Sequence, residues 1–550
     1  RDLLATYPNM GAIARHLDTV LPPDAVPSAA PARLSALPAA PSGADISALI
    51  QAQLQTMQSV FADQLRFAGG AGQLAAPVPA SPLAMQDASP VKSSLSKPTN
   101  PDLKDTKDQV PVFNTGRGAV LGQADLTADL TADQLAFAQD LGRKCSAKFA
   151  KSKAHADTYR PVLADPRTAA GFRDEWKELT FPIVAAKSKG AYIDDIDGNR
   201  LIDLVNGFGQ TAFGHAPDFV NQAVTAQLAS GYAIGPQSDL AGVVAEKFAR
   251  MTGHQRVTFC NTGSEAVMAA MRLARAVTGR DRIVVFGNDY HGQFDEVLVK
   301  GRTGKGEPVA LPVAPGIPRS ALGNMTVLEY GSDAALEWIK ANAGDIAAVI
   351  VEPVQSRHPS IRPVAFLHKL RDITADSGTA LVFDEVVTGF RTHPRGMQGV
   401  WNIKADMATY GKVVGGGMPV GVLAGDARFM DALDGGAWAY GDDSKPEVAP
   451  TFFAGTFVRH PLVLAAVNAT LDHMAQNGPV LWEETADKTA ALVARLNRNL
   501  TDRGLPQLVK TYSSWFVINL SHHDPRATLF FALMRLNGVH LIDGYCGFMT

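Results

Sequence analysis

The chain has 550 residues, and its 51 basic and 54 acidic side chains leave a net charge of −3. That balance offers no field for nucleic acid or an anionic membrane, and no run approaches the roughly 20 apolar residues that span a bilayer. The three cysteines, Cys145, Cys260 and Cys546, have no metal-ligand spacing, and so odd and sparse a count fits a reducing cytosol rather than a disulfide framework. No signal peptide is visible. Its length allows two or three domains, and because it opens on Arg1 rather than Met the sequence is expected to be a piece of something longer.

Met10, Ile13, Leu17 and Val20 recur at helical spacing behind Pro8, which favours a helix start. Residues 1–20, with Tyr7-Pro8, Ile13-Ala14 and His16-Leu17, resemble the last helix of an acyl or peptidyl carrier domain. The serine-bearing part that would hold phosphopantetheine is absent, so no carrier activity is expected; a generic amphipathic helix is the alternative. Residues 21–45 are rich in Ala, Pro and Ser and read as linker. A helix is predicted near 45–68, with apolar residues at 46, 50, 54, 57, 61 and 65. That stripe could pair with its twin, dock a neighbouring domain or fold back onto its own chain. Residues 69–115 lack periodicity and read as disordered or extended. No internal repeat appears.

From residue 190 the pattern changes. Asp197-Gly198-Asn199 is a hairpin-type turn between alternating apolar runs. In Phe259-Cys-Asn-Thr-Gly-Ser-Glu-Ala, a polar turn leads into an Ala-rich stretch with Val267, Met271 and Ala274 at helical spacing. Gly263 and Ser264 would then sit at a helix N-terminus, where free N–H groups favour an anion such as a phosphate; a plain N-cap at Ser264 is the bland reading. The strand-like run Arg282–Phe286 delivers Tyr290 and His291 into a loop, where an aromatic ring can cover a flat ligand.

Leu381, Val382 and Phe383 form a short apolar run ending in acids, the pattern of a buried parallel strand. Ligands of open α/β sheets bind at such carboxyl ends, and Asp384 there can face a pyridinium nitrogen and keep it protonated. Lys412 lies between an apolar run and three consecutive glycines, Gly415 to Gly417. Glycine admits close backbone approach, and an amine held beside a flat group can form a Schiff base with a carbonyl. Each segment alone is weak, since a lysine among glycines is more often a surface loop. Taken together, they fit a site for pyridoxal 5'-phosphate.

The order of NTGSEA, YHG, VEPVQ, FDEVVTGFR and GKVVGGGMPVG, with Lys412 placed 28 residues (412 − 384) after Asp384, resembles the class III aminotransferases of fold type I from about residue 175 onward. The resemblance implies an α/β fold with a large, mostly parallel-sheet domain, a smaller α+β domain and a partly disordered N-terminal extension. It divides the chain at 1–20, 21–115, 116–214 (N-terminal segment), 215–455 (large cofactor domain) and 456–550 (small domain). The chain then stops soon after Gly538–Asp543 where relatives continue with a further helix, so the small domain is expected to be truncated. By similarity Lys412 holds the cofactor and moves the proton, Asp384 pairs with the ring nitrogen and Tyr290, beside His291, covers the ring. Gly263 and Ser264 hold the phosphate, and Thr456 reaches the phosphate of a neighbouring subunit, which implies a homodimer.

Many family members carry glutamine three residues after the strand-end acid; here Val387 cannot hydrogen-bond. This resembles the glutamate-1-semialdehyde aminomutase branch and leaves Glu352 and Gln355 as candidates near the ring. Asn206 and Phe208 resemble substrate-side residues. Arg160–Arg173 and Phe181–Val184 resemble the lead-in of aminotransferase domains embedded in hybrid polyketide–nonribosomal peptide synthetases. That implies an amino acid donor, a β-ketoacyl acceptor borne on an acyl carrier domain, and neighbouring megasynthase domains. The alternative acceptor is a free aldehyde or keto acid, or the reaction is an aminomutase shift. A catalytically dead scaffold is disfavoured by Lys412, Asp384, Tyr290 and the phosphate turn occurring together.

Overall fold

Seven apolar runs become the strands of one sheet: β1 (Arg256–Cys260), β2 (Arg282–Phe286), β3 (Met325–Leu328), β4 (Ile346–Val351), β5 (Ala380–Asp384), β6 (Met407–Gly411) and β7 (Gly421–Gly425). The computed structural model describes residues 112–114, 130–168, 172, 174–302, 307–518, 527–542, 544 and 546–550. The features expected over residues 1–68 lie outside the described residues. In the segment expected to be disordered or extended, Val112–Asn114 is a strand paired antiparallel with Val299–Arg302.

The strand order is β1-β7-β6-β5-β4-β2-β3. Neighbours from β6 to β3 run parallel, whereas β7 is antiparallel to both β6 and β1. Every residue of β4, β5, β6 and β7 is buried, so these strands read as continuous apolar runs rather than alternating ones. Alternate residues divide between two cores. One face carries Ile283, Val285, Ile350, Val382 and Leu423 against the helix Gly263–Thr278. The other carries Val284, Val349, Leu381, Phe383 and Tyr410 against Val244 and Phe248, Leu367 and Leu370, and Leu464 and Leu471 of three further helices. At about 1.5–3 kcal/mol for each large apolar side chain buried, these two layers set the sheet's position. Pro461–Asn477 therefore packs into the large-domain core although it follows residue 455.

The smaller α+β part draws on both ends of the described chain. Ala185–Lys189, Tyr192–Asp195 and Arg200–Asp203 form an antiparallel meander, joined by Val539–His540. The turn expected at Asp197–Asn199 is present, with Gly198 at φ 88°. Val509–Tyr512, Trp515–Ile518 and Gly547–Phe548 form a second small sheet, and the helix expected from Leu529 spans Ala527–Leu536. No described helix is long and apolar enough to cross a membrane.

Gly421 is set by close approach rather than by its torsions. It pairs with Cys260 and Gly411 on its two sides, and a Cβ there would collide with the Thr262 carbonyl oxygen and the Cys260 sulfur. Gly421→Ala is expected to lower unfolding stability by about 1–3 kcal/mol through overpacking. Gly242→Ala, on an open helix position, is expected to raise it by about 0.5–1 kcal/mol. Denaturant unfolding of both variants checks the contrast.

Candidate active site

The parallel strands present their carboxyl ends together, and each leads into polar residues; those after β2, β4, β5 and β6 build the site. Asp384 ends β5 and is buried. Its Oδ1 accepts from Thr409 Oγ1 (3.1 Å) and the Val386 backbone N–H (3.1 Å), and its Oδ2 lies 2.8 Å from His291 Nδ1. Lys412 follows the end of β6 at φ 46°, a left-handed conformation that is costly for a residue with a Cβ. The side chain is half-buried and has no hydrogen bond or ion pair among the described residues. Burial lowers its pKa below the usual lysine value, against the opposing pull of Asp384 and Glu352. A larger share of neutral amine makes it a better nucleophile.

The helix Gly263–Thr278 begins with a capping box. Thr262 Oγ1 accepts from Glu265 N–H (3.2 Å), while Glu265 Oε2 accepts from the N–H groups of Thr262 (3.1 Å) and Asn261 (2.6 Å). Thr262, not Ser264, is therefore the cap, and the N–H groups of Gly263 and Ser264 remain for an anion. Two close approaches join this cradle to the rest of the site. A Cβ on Gly263 would lie 3.0 Å from Val386, two residues past Asp384. Gly292 sits directly over Ser264, whose Oγ accepts from Gln293 N–H at 3.3 Å.

Tyr290 is 41% exposed. Its backbone N–H donates to Glu352 Oε2 (3.0 Å), and the Arg357 guanidinium stands 5.8 Å from its ring centre. Glu352 is buried; burial first, and then Asp289 and Asp384, push its carboxyl up to about 8. Its neighbour Gln355 is committed elsewhere, donating from Nε2 to Gly287 O and Asp289 Oδ1, both at 2.7 Å. Val387 packs against Val354, Met397, Trp515 and Phe548.

Lys412, Asp384, Tyr290, His291, Glu352, Gly263 and Ser264 thus converge. Asn206 and Phe208 lie in the kinked turn Asn206–Gly209, both at positive φ. Asn206 Nδ2 donates to Phe548 O (2.7 Å), so that amide nitrogen supports the turn rather than reaching out. Thr456 is exposed in a turn, not a strand, on a segment that Arg272 holds through Phe452 O (2.8 Å). Sequence reasoning passed over Asp289, Thr409 and Arg391. Arg391 is buried, and its guanidinium donates to Gly209 O and to Ser514 Oγ (3.2 Å) and lies 4.8 Å from the Phe548 ring centre. The available signal was charge inside otherwise apolar strand ends, Asp289 before Tyr290-His291 above all. The cradle offers N–H donors to a phosphate, and Asp384 and Lys412 offer a carboxylate and an amine to a pyridine aldehyde, so the residues present fit pyridoxal 5'-phosphate.

The family described as Aminotransferase class-III matches residues 174–547. A glutamate-1-semialdehyde 2,1-aminomutase of Sulfolobus acidocaldarius is 33% identical over 359 residues, 65% of this chain and 79% of that protein. An omega-transaminase from Sphaerobacter thermophilus superposes with a TM-score of 0.61 at 30% identity, covering 73% of this chain and 92% of that one. A transaminase with PLP bound gives 0.64 at 26% identity, covering 73% and 93%.

Glu385, next to Asp384, is fully buried and accepts from Thr388 Oγ1 and from the N–H groups of Met397 (3.1 Å) and Gln398 (3.2 Å). Burial pushes its carboxyl up from 4.5 to about 7. Between those values the folded protein keeps a proton that the unfolded chain releases, so this group's contribution to stability falls as pH rises through that window. Glu385→Gln is expected to remove that part of the slope. Melting temperatures of both proteins across the window check it; identical profiles would mean that Glu385 is ionised throughout.

Proposed function

We propose, from the premise that this chain belongs to the class-III aminotransferase family, that it moves an amino group between an amino acid donor and a small free aldehyde or keto acid bearing a carboxylate, or shifts it within one such molecule. The cofactor is pyridoxal 5'-phosphate, which when bound supplies an electron sink for a carbanion at the amino-bearing carbon. In this reading Lys412 Nζ holds the cofactor and then moves the proton at that carbon. Asp384 holds the ring nitrogen, and its other lone pairs are already engaged by Thr409, Val386 and His291. The Gly263 and Ser264 N–H groups hold the phosphate, and Tyr290 covers one face of the ring. Glu352, which accepts the Tyr290 backbone N–H, would lie near the ring.

Arg357 is the observation that carries the substrate class. It stands beside Tyr290, has no carboxylate partner among the described residues, and acts electrostatically on Cys546 together with Lys412 and Arg391. A guanidinium so placed suits a carboxylate held a few ångströms from the reacting amine. The aminomutase relative at 33% identity supports the same chemistry. We also assign a cytosolic homodimer in which Thr456 completes the phosphate site across the two-fold interface.

A second reading places the acceptor on a carrier as a β-ketoacyl thioester. It is supported by the carrier-like run within residues 1–20 and the lead-in at Arg160–Arg173. Nitrogen-labelled amino acids offered with free semialdehydes and keto acids, and separately with a β-ketoacyl group on a carrier protein, distinguish the two by mass spectrometry. Label in the free molecules sustains the first reading; label on the carrier arm alone replaces it with the second.

Lys412→Ala is expected to lose both the visible absorbance of the covalently held cofactor and all turnover; retained transamination would refute its role. Arg357→Ala is expected to raise KM for carboxylate substrates by about ten- to a hundredfold, the equivalent of one charge-assisted hydrogen bond of about 1.5–3 kcal/mol. It should leave a carboxylate-free amine unaffected, which steady-state kinetics on both substrates checks.

A further inference from the structure

Behind Asp384 lies a second buried carboxylate that the family reading does not use. Asp289 is fully buried, and its Oδ2 lies 3.3 Å from His291 Nε2, while His291 Nδ1 lies 2.8 Å from Asp384 Oδ2. His291 is therefore clamped between two acids with no exposed side-chain surface. Asp289 is in turn held by Gln355 Nε2 on Oδ1 (2.7 Å) and by the Glu352 backbone N–H on Oδ2 (3.1 Å).

The proton count follows from these contacts. If Nδ1 donates to Asp384, a neutral ring leaves an unprotonated Nε2 3.3 Å from a carboxylate oxygen in a dry site, with no hydrogen bond joining the two. A proton on Nε2 turns the repulsion between them into the attraction of an ion pair at 3.3 Å. Burial pushes the Asp289 carboxyl up, but His291 and the two N–H donors favour its ionised form, and the second acid on Nδ1 favours the proton on the imidazole. We propose that Asp289 is a positioning residue that holds His291 as an imidazolium, fixing Nδ1–H on Asp384 and so turning the rest of that carboxylate toward the cofactor's ring nitrogen.

The groups facing this trio come from every neighbouring element. Glu352 follows β4, Tyr330 follows β3 and feels both Asp289 and Glu352, and Lys412 follows β6. Burial opposes charge on His291, but the hydrogen bonds and charges of Asp289 and Asp384 outweigh it and raise its pKa to about 10.

The proposal rests on Asp384 facing the ring nitrogen, and the test separates the two ideas. In cofactor-free wild-type protein labelled with 15N-histidine, His291 (assigned by its loss in His291→Gln) is expected to show two protonated ring nitrogens at pH 8. A singly protonated ring would overturn the proposal whatever Asp384 does. With cofactor bound, the wild-type visible spectrum is expected to show no His291 titration between about pH 5 and 8, the ordinary imidazole range. Asp289→Asn, which keeps a polar group of the same shape, is expected to introduce a spectral titration there and to weaken cofactor binding. A charged His291 in the apoprotein with no spectral change in Asp289→Asn would keep the clamp but remove its effect on the cofactor, overturning that half. Should Asp289→Asn fail to fold, the wild-type resonance alone still decides the charge of His291.

Discussion

Burying a carboxylate at the end of a parallel strand is the constraint on which the site depends. Asp384 sits in a layer that excludes water, where an unpaired charge costs several kcal/mol. The surrounding elements answer that cost from three directions: β6 through Thr409, the following turn through the Val386 N–H, and the loop after β2 through His291. Each contact also fixes the loop that makes it. The carboxylate thus organises the cleft as well as lining it.

The same economy recurs one shell further out. Glu352 accepts the Tyr290 N–H, Asp289 accepts the Glu352 N–H and faces His291, and Gln355 closes the circle through Asp289 and Gly287. Three buried acids lie close together, so the imidazole between two of them and the lysine opposite set the local charge balance. Steric limits then fasten the anion cradle to this polar core. Gly292 against Ser264 and Gly421 against Thr262 leave no room for a methyl group, and Gly263 leaves only a tight fit against Val386. A helix N-terminus is common; one locked to a strand-end acid and an aromatic loop is what makes a cofactor site.

Much of this was legible beforehand. The apolar run of β5 identifies a buried parallel strand because both faces are covered, the run of β2 reads as a strand, and Gly263-Ser264 before an Ala-rich stretch identifies a helix start. The bland alternative, a cap at Ser264, does not hold, for a local reason. Glu265 completes a box with Thr262, and the preference of either hydroxyl for a cap does not tell which one is used. Asn206 read as a substrate-side residue through the family resemblance of its segment. Its amide nitrogen meets the Phe548 carbonyl, more than three hundred residues away, a pairing no local pattern shows.

The sequence by itself determined the strands, the helix start, the lysine and the strand-end acid, because periodicity and turn chemistry act over a few residues. It also determined the family, because five motifs in fixed order are a linear property. Only the tertiary structure decided that Asp289 faces His291, that Gln355 is spent on holding it, that Arg391 is buried in support of Gly209 and Ser514, and that Arg357 stands beside Tyr290. Those pairings join residues from separate strand ends, and their worth depends on burial and on distances of a few ångströms, which no local pattern along the chain encodes.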